Sequence, residues 1–321
     1  MNLPWLAPCK TRLNDSLEQQ RLGHAPLISG PLGVGKRQLG EWLVRRILCL
    51  APAGEDPCGS CRSCELIEAG THPDFFRVEI PEDKKEIPVD SIRDLTASLN
   101  LTPSIGSRRV GLIVVAEAMT TAAANALLKT LEEPSSEAWL VLVSHSPGRL
   151  PATIRSRCQP LPVRPPDREM ALEWLARQRP DNTPDELDEA LLLATDSPLA
   201  AQELLDGDGL AFGHEVLDGL LGIVEGRPVA SVVTDRWQQS AVETWRWIAL
   251  WTGVFMQTVQ GAGQNRLPAD RQLPGRINPV DLAVLWERAL QGRMLTRSNV
   301  RQDLLLGKWL LEWEATSQRG T

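Results

Sequence analysis

The chain lacks any apolar run long enough to cross a bilayer, which takes about 20 residues. Its first ten residues, Met1 to Lys10, lack the basic stretch followed by an apolar one that marks a secretory signal. It has no basic excess either: 34 lysines and arginines stand against 41 acids, a net charge of −7. That argues against a protein that grips nucleic acid alone through bulk electrostatics, and leaves room for a local basic patch within an assembly. No internal repeat and no low-complexity tract is present. Cysteine is scarce, at six residues, but four of them (Cys49, Cys58, Cys61 and Cys64) lie close together. In a chain without an export signal, clustered thiols favour metal over disulfides, and the expected compartment is the cytoplasm.

What is present points to an α/β protein. A chain of 321 residues can form two or three domains, each with its own core. Leu27-Ile28-Ser29 reads as a short buried strand running into a glycine loop, and Gln38 to Leu50 as a helix. Strands are expected at Phe75 to Ile80, Val110 to Val115, Trp139 to Ser144 and Gln159 to Val163. Helices are expected around Val89 to Leu99 and over Ala122 to Glu133, where Pro134 ends the second. This alternation predicts a parallel sheet covered by helices. Arg164-Pro165-Pro166-Asp167 is a natural boundary, and Gly207-Asp208-Gly209 a second hinge. The expected organisation is an α/β domain over 1–165, a small helical domain over 166–207 and an all-α domain over 208–321. The last is tryptophan-rich, and at helical spacing such residues are core or subunit interface more often than a base-stacking platform.

Gly30-Pro31-Leu32-Gly33-Val34-Gly35-Lys36 between a strand and a helix has the P-loop arrangement. Glycines such as Gly30, Gly33 and Gly35 let backbone N–H groups converge on phosphate, and Lys36 reaches its outer oxygens. Two parts of the chemistry are missing. The hydroxyl that should follow the lysine and hold Mg²⁺ is replaced by Arg37, which cannot ligate a cation. The apolar strand that should end in an Asp-Glu pair instead runs Val114-Val115-Ala116-Glu117, with Glu117 the sole nearby acid. Phosphoryl transfer depends on metal charge neutralisation, so the loop is expected not to hydrolyse ATP, and ATP binding is doubtful.

The cysteines are spaced C-x8-C-x2-C-x2-C. Four thiolates close a tetrahedral shell and leave no position for water, which predicts a structural zinc at Cys49, Cys58, Cys61 and Cys64. The alternative is four unligated thiols.

Several motifs together resemble the AAA+ clamp-loader family of bacterial DNA polymerase III. They are the glycine loop, the cysteine quartet after the first helix, Gly70-Thr71-His72-Pro73-Asp74, the decapeptide Asn125 to Pro134 and Ser156-Arg157-Cys158. They cover about residues 1–165. The resemblance implies an AAA+ (P-loop NTPase-like) domain, a helical lid and a helical collar that holds subunits in a ring. The damaged P-loop implies a non-motor subunit that assists ATP-driven loading of the sliding clamp onto primed DNA, within a nucleotidyl-transferring holoenzyme. The implied partners are gamma/tau motor subunits and a delta subunit, with the clamp and primer–template DNA reached through the complex and no membrane. Arg157 falls where the family places an arginine finger that enters the ATP site of the adjacent subunit; such a finger stabilises transition-state charge. Lys129 lies where a basic residue couples DNA binding to nucleotide state, and is equally readable as a solvated helix-face lysine. Arg108-Arg109 either touches DNA phosphates or flanks a strand. Two alternatives stand beside this reading: a self-sufficient AAA+ ATPase such as the gamma/tau motor, and a zinc-dependent nucleic-acid binder acting alone.

Overall fold

Every strand pairing in the α/β half is parallel. In the computed structural model, which describes residues 3–232, 235–261, 267–268, 271, 273, 277–296 and 300–318, the strands are β1 (Pro26–Ser29), β2 (Phe75–Val78), β3 (Arg109–Ile113), β4 (Ala138–Ser144) and β5 (Gln159–Pro162). Met1 and Thr321, the two limits of the expected domains, lie outside the described residues. Across the sheet the order is β2-β3-β4-β1-β5. Leu27 and Ile113 both register with Leu142, which brings the carboxyl ends of β1, β3 and β4 side by side. In sheets of this kind the crevice outside those ends is where ligands bind. All five residues of β3 are buried, as the unbroken apolar run predicts for a strand covered on both faces.

The helices that cover the sheet follow from their apolar spacing. They are α1 (Ala7–Glu18), α2 (Lys36–Leu48), α3 (Arg62–Glu68), α4 (Val89–Leu99), α5 (Thr121–Glu132) and the single turn α6 (Ala152–Arg155). At Gly40, α2 comes against Ile28, Leu112 and Val143. The alternate residues Leu27, Ile113, Leu140 and Leu142 join one cluster with Ile92, Leu95 and Leu99 of α4 and Ala123, Leu127 and Leu131 of α5. Period-two alternation puts these two sets on opposite faces. Helix α5 starts where Thr120 Oγ accepts the amide of Ala123 at 3.1 Å, a normal N-cap. Among the helix starts, the described N-terminal helix α1 had no counterpart in the periodicity reading. It is tied to α2 by Arg46, which is buried and donates to Asn14 Oδ1 at 2.8 Å and to Glu18 at 3.2 Å.

One strand differs from expectation in a way that matters for the site. The apolar run to Val115 reads as strand, but β3 ends at Ile113. Val115 is left-handed (φ 59°, ψ 58°) and opens a 3-10 turn over Ala116–Ala118. A β-branched residue there is strained, so the turn is imposed by its surroundings and not by local preference.

The chain divides into two compact units: Met1–Ala171 with Ser197–Ala200, and Leu172–Asp196 with Ala201–Thr321. Helices α7 (Arg168–Gln178), α8 (Pro184–Leu193) and α9 (Pro198–Leu204) run through the changeover. The helical unit continues with α10 (Gly209–Val224), α11 (Val229–Val232), α12 (Asp235–Gln239), α13 (Ala241–Val259), α14 (Pro279–Leu295) and α15 (Gln302–Gln318). Its core is aromatic. Trp237, Trp245, Trp247, Trp251, Trp309 and Trp313 are all buried. Trp247 stacks on Trp251, and Trp313 lies between Trp309 and Phe255, with ring centroids 5.5–5.9 Å apart. Trp251, Trp309 and Trp313 donate their indole N–H to the carbonyls of Gly213, Leu285 and Leu220. Buried rings with satisfied N–H groups are packing elements, not a surface on which bases could stack. Among the described residues, no helix is long and apolar enough to cross a membrane.

Candidate nucleotide pocket, metal cluster and arginine site

The glycine loop joins β1 to α2 as its spacing predicts, and its backbone is packed against its surroundings. Gly30 runs so close to the carbonyl of Val163 that a Cβ would fall 2.1 Å from the oxygen. Gly33 (φ 79°) meets Ala200, where a Cβ would come within 2.6 Å of backbone nitrogen, and the carbonyl of Gly33 accepts the amide of Leu199 at 3.0 Å. Val34 takes the indole N–H of Trp5 on its carbonyl at 3.0 Å. Gly35, left-handed, opens α2.

Lys36 does not reach outward. It is 3 % exposed, and its ammonium donates to the carbonyl of Pro31 in its own loop. Burial pulls its pKa down to about 8, with Glu117 opposing the shift. Arg37 turns the other way. It donates to Glu41 at 3.1 Å and to Glu79 at 3.0 Å, in an exposed network that includes Arg77. The place of the Mg²⁺-binding hydroxyl is thus held by a cation facing solvent acids. Glu117, in the middle of the strained turn, accepts the amides of His145 and Ser146 on one carboxylate oxygen, at 2.8 and 2.9 Å. Burial and nearby Lys36 push the imidazole of His145 below its usual range, against the pull of Glu117.

The four predicted thiols come together. Cys49 closes α2, Cys61 caps α3 and Cys64 lies within it. The four sulfurs are all within 4.8 Å of one another, with Cys49 3.5 Å from Cys58 and 3.9 Å from Cys61. A regular tetrahedron of sulfurs about 2.3 Å from zinc has edges of about 3.8 Å, so the donor set fits a closed four-coordinate ion. Burial pushes the Cys64 thiol up to about 12. Cys61, despite its burial, is drawn down to about 6 by the amides of Cys64 and Leu50. These four cysteines can hold a metal ion.

Next to the cluster lies a polar network that spacing alone does not reveal. Buried Ser63 is 2.9 Å from Nε2 of His72, whose Nδ1 accepts the amide of Asp74. Asp74 is fully buried and accepts the amides of Ser104 and Ile105 and the guanidinium of Arg109 at 3.1 Å. Ser, His and Asp here are not a nucleophilic triad, because the carboxylate faces Arg109 and loop amides instead of the imidazole. Arg109 is committed to this pair, so the DNA-phosphate alternative does not apply to it. Arg108 covers the ring of Trp139 at 5.4 Å.

Arg157 lies between α6 and β5, two residues before the strand begins. Its side chain is 36 % exposed and donates to Glu132 of α5 at 2.6 Å and to the carbonyl of Thr153 at 3.0 Å. Exposed pairs of this kind are worth about 0–1 kcal/mol, so the guanidinium is steered but not trapped. Lys129, one turn before Glu132, is exposed on α5. The glycine loop and Glu117 share one region, at the strand ends; the sequence contained Glu117 only as a nearby acid.

A parallel five-stranded sheet with a P-loop, an arginine after its lysine and a helical C-terminal unit defines the AAA+ class of fold. The model of the DNA polymerase III, delta subunit family matches residues 7–167. The DNA polymerase III subunit delta' of Pseudomonas aeruginosa is 36% identical over 320 residues, covering 97% of this chain and 96% of that protein. That of Escherichia coli K12 is 33% identical over 323 residues, covering 99% and 96%. A gamma subunit-related DNA polymerase III protein of Thermotoga maritima shares the fold, with a TM-score of 0.52 at 18% identity over 98% of this chain and 99% of that one. The chain belongs to the DNA polymerase III delta-prime subunit family.

Proposed function

We propose that this chain is the non-motor member of a DNA polymerase III clamp loader and that it supplies Arg157 to the ATP site of an adjacent motor subunit. The observation that carries this reading is the contrast between two cations of one unit. Lys36 is turned into its own loop, while Arg157 is exposed and held by a surface carboxylate and by the neighbouring Thr153 carbonyl and Ser156 hydroxyl of its own turn. A planar, permanently charged guanidinium in that position suits the γ-phosphate of a neighbour's nucleotide. Gamma/tau and delta subunits are the ring partners, and sliding clamp and primer–template DNA are met through the assembly, in the cytoplasm. Residues 1–165 carry the finger and the metal cluster, 166–207 act as a lid, and 208–321 as a collar. Exposed Val280, Val284, Met294, Leu304 and Leu311 on α14 and α15 give that last part apolar surface for neighbours. The ion held by Cys49, Cys58, Cys61 and Cys64 is zinc, in a structural role. Lys129 contributes to coupling between DNA and nucleotide state.

The test is the ATPase of a reconstituted loader containing Arg157→Ala. Assembly should persist while turnover falls; unchanged turnover would remove the trans role. The alternative of a self-sufficient motor predicts phosphate release from the purified chain with Mg-ATP, abolished by Lys36→Ala. The outward turn of Arg37 argues against it.

A further inference from the structure

Glu117 stands where no part of the reading above requires an acid. Its carboxylate lies at the strand ends beside the glycine loop, and one oxygen collects two consecutive backbone amides, those of His145 and Ser146. Its other oxygen is buried without a hydrogen-bond partner, as are Nδ1 of His145 and Oγ of Ser144 beside it. A carboxylate placed in such surroundings bears a desolvation penalty that surface acids avoid. The turn that delivers it is strained at Val115, and strain of that sort persists only where the surrounding structure over-determines it. Both features mark Glu117 as a built contact.

The two amides it holds begin the segment that ends in Arg157. From Ser146 the chain makes a 3-10 turn over Pro147–Arg149, buries Leu150, forms α6 and buries Ile154. Arg157 then hangs from the last turn of α6, its amide on the carbonyl of Ile154 and its guanidinium on that of Thr153. The segment is therefore gripped at its start by one charged acceptor and along its length by two apolar side chains. Charge-assisted bonds to backbone amides are the stronger class of hydrogen bond.

We propose that Glu117 is a positioning residue for Arg157. Its carboxylate clamps the amides of His145 and Ser146 and so fixes the path of residues 145–157, with no nucleotide needed in this chain's own loop. This rests on the trans role of Arg157.

Two variants and two readouts test it. In the isolated full chain, Glu117→Ala should speed amide exchange at His145 and Ser146 by roughly tenfold or more, while amides of β3 stay protected. In the reconstituted loader the same variant should lower ATP turnover by roughly tenfold, because a misplaced reacting group loses its advantage within about 1 Å. Combined with Arg157→Ala it should lower turnover no further than Arg157→Ala alone. Glu117→Gln keeps a carbonyl acceptor for both amides and should return both readouts to within about twofold of wild type. Unchanged exchange at His145 and Ser146 in Glu117→Ala overturns the clamp, whatever Arg157 does. Normal turnover for Glu117→Ala in a loader that Arg157→Ala impairs overturns the positioning role. A Glu117→Gln chain as impaired as Glu117→Ala also counts against the clamp, since the acceptor is then not what matters. If Arg157→Ala is itself silent, the trans reading falls instead, and the exchange measurement still decides the clamp.

Discussion

Lys36 and Arg157 are cations of one α/β unit in opposite circumstances. Lys36 is 3 % exposed, with its ammonium on the carbonyl of Pro31 and the charge of Glu117 nearby. Arg157 keeps 36 % of its side chain in solvent and leans on Glu132, itself 49 % exposed. To meet a phosphate, Lys36 must give up an internal hydrogen bond and its own buried position, whereas Arg157 gives up a surface ion pair worth about 0–1 kcal/mol and a bond to the Thr153 carbonyl. The difference teaches that a retained motif and an available charge are separate things. The P-loop persists here as a fold element, because its glycines are where Val163 and Ala200 come close, and its lysine has been absorbed into the protein.

The largest expected effect tests this contrast directly. In a reconstituted loader, Arg157→Ala should lower hydrolysis at the site it faces by about 10³-fold, the lower end of the range for arginine fingers, while Lys36→Ala leaves turnover within about twofold. Equal losses would dissolve the distinction. Removing the metal sharpens it from another side. Chelation, or Cys61→Ser, should lower the unfolding free energy of the chain by about 3 kcal/mol, read by urea denaturation, without changing turnover per folded complex. Metal analysis should find about one equivalent of zinc beforehand and none after.

A smaller effect concerns Lys36 alone. Its folded pKa, about 8, lies below the ordinary 10.5 because of burial. Below pH 8 both folded and unfolded chains carry the proton, and the buried charge destabilises the fold in full. Between pH 8 and 10.5 the unfolded lysine holds a proton that the folded one has lost, so stability rises with pH. Lys36→Met should therefore be more stable than wild type at pH 7 by about 3 kcal/mol, and that advantage should shrink as pH rises through the window. An advantage that does not change with pH would mean that the ammonium is not the source. The smallest effect is expected at the tether. Glu132→Gln should move the unfolding free energy by less than about 1 kcal/mol and turnover by less than about twofold, since Arg157 is only steered by that carboxylate. A large loss of turnover would show that Arg157 is less available than its exposure indicates.

Much of this was legible beforehand. The strands, the P-loop turn and the four thiols follow from apolar periodicity and from fixed spacings, and each is present, with β2 and β3 ending two residues earlier than expected. The buried tryptophans follow equally from helical spacing. Other parts were hidden for physical reasons. The run Val110 to Val115 carries one apolar pattern, yet the chain leaves the sheet at Ile113, because the left-handed turn at Val115 is enforced by packing and not by the residue's own preference. With that turn unseen, Glu117 was an acid near a strand end and nothing more. Ser63, His72, Asp74 and Arg109 were likewise separate residues until the fold closed them into one buried network.

By itself the sequence settled the parallel sheet, the missing hydroxyl after Lys36, the four-thiolate donor set and the family, since these depend on identity and on intervals of a few residues. Only tertiary structure decided where each charge ends up: Lys36 inside its loop, Arg37 among solvent acids, Arg109 against Asp74, Glu117 on amides 28 and 29 residues further along. A buried polar atom must find a partner wherever the fold brings one, and that partner commonly comes from a different strand or turn, at a distance in sequence that no local pattern encodes.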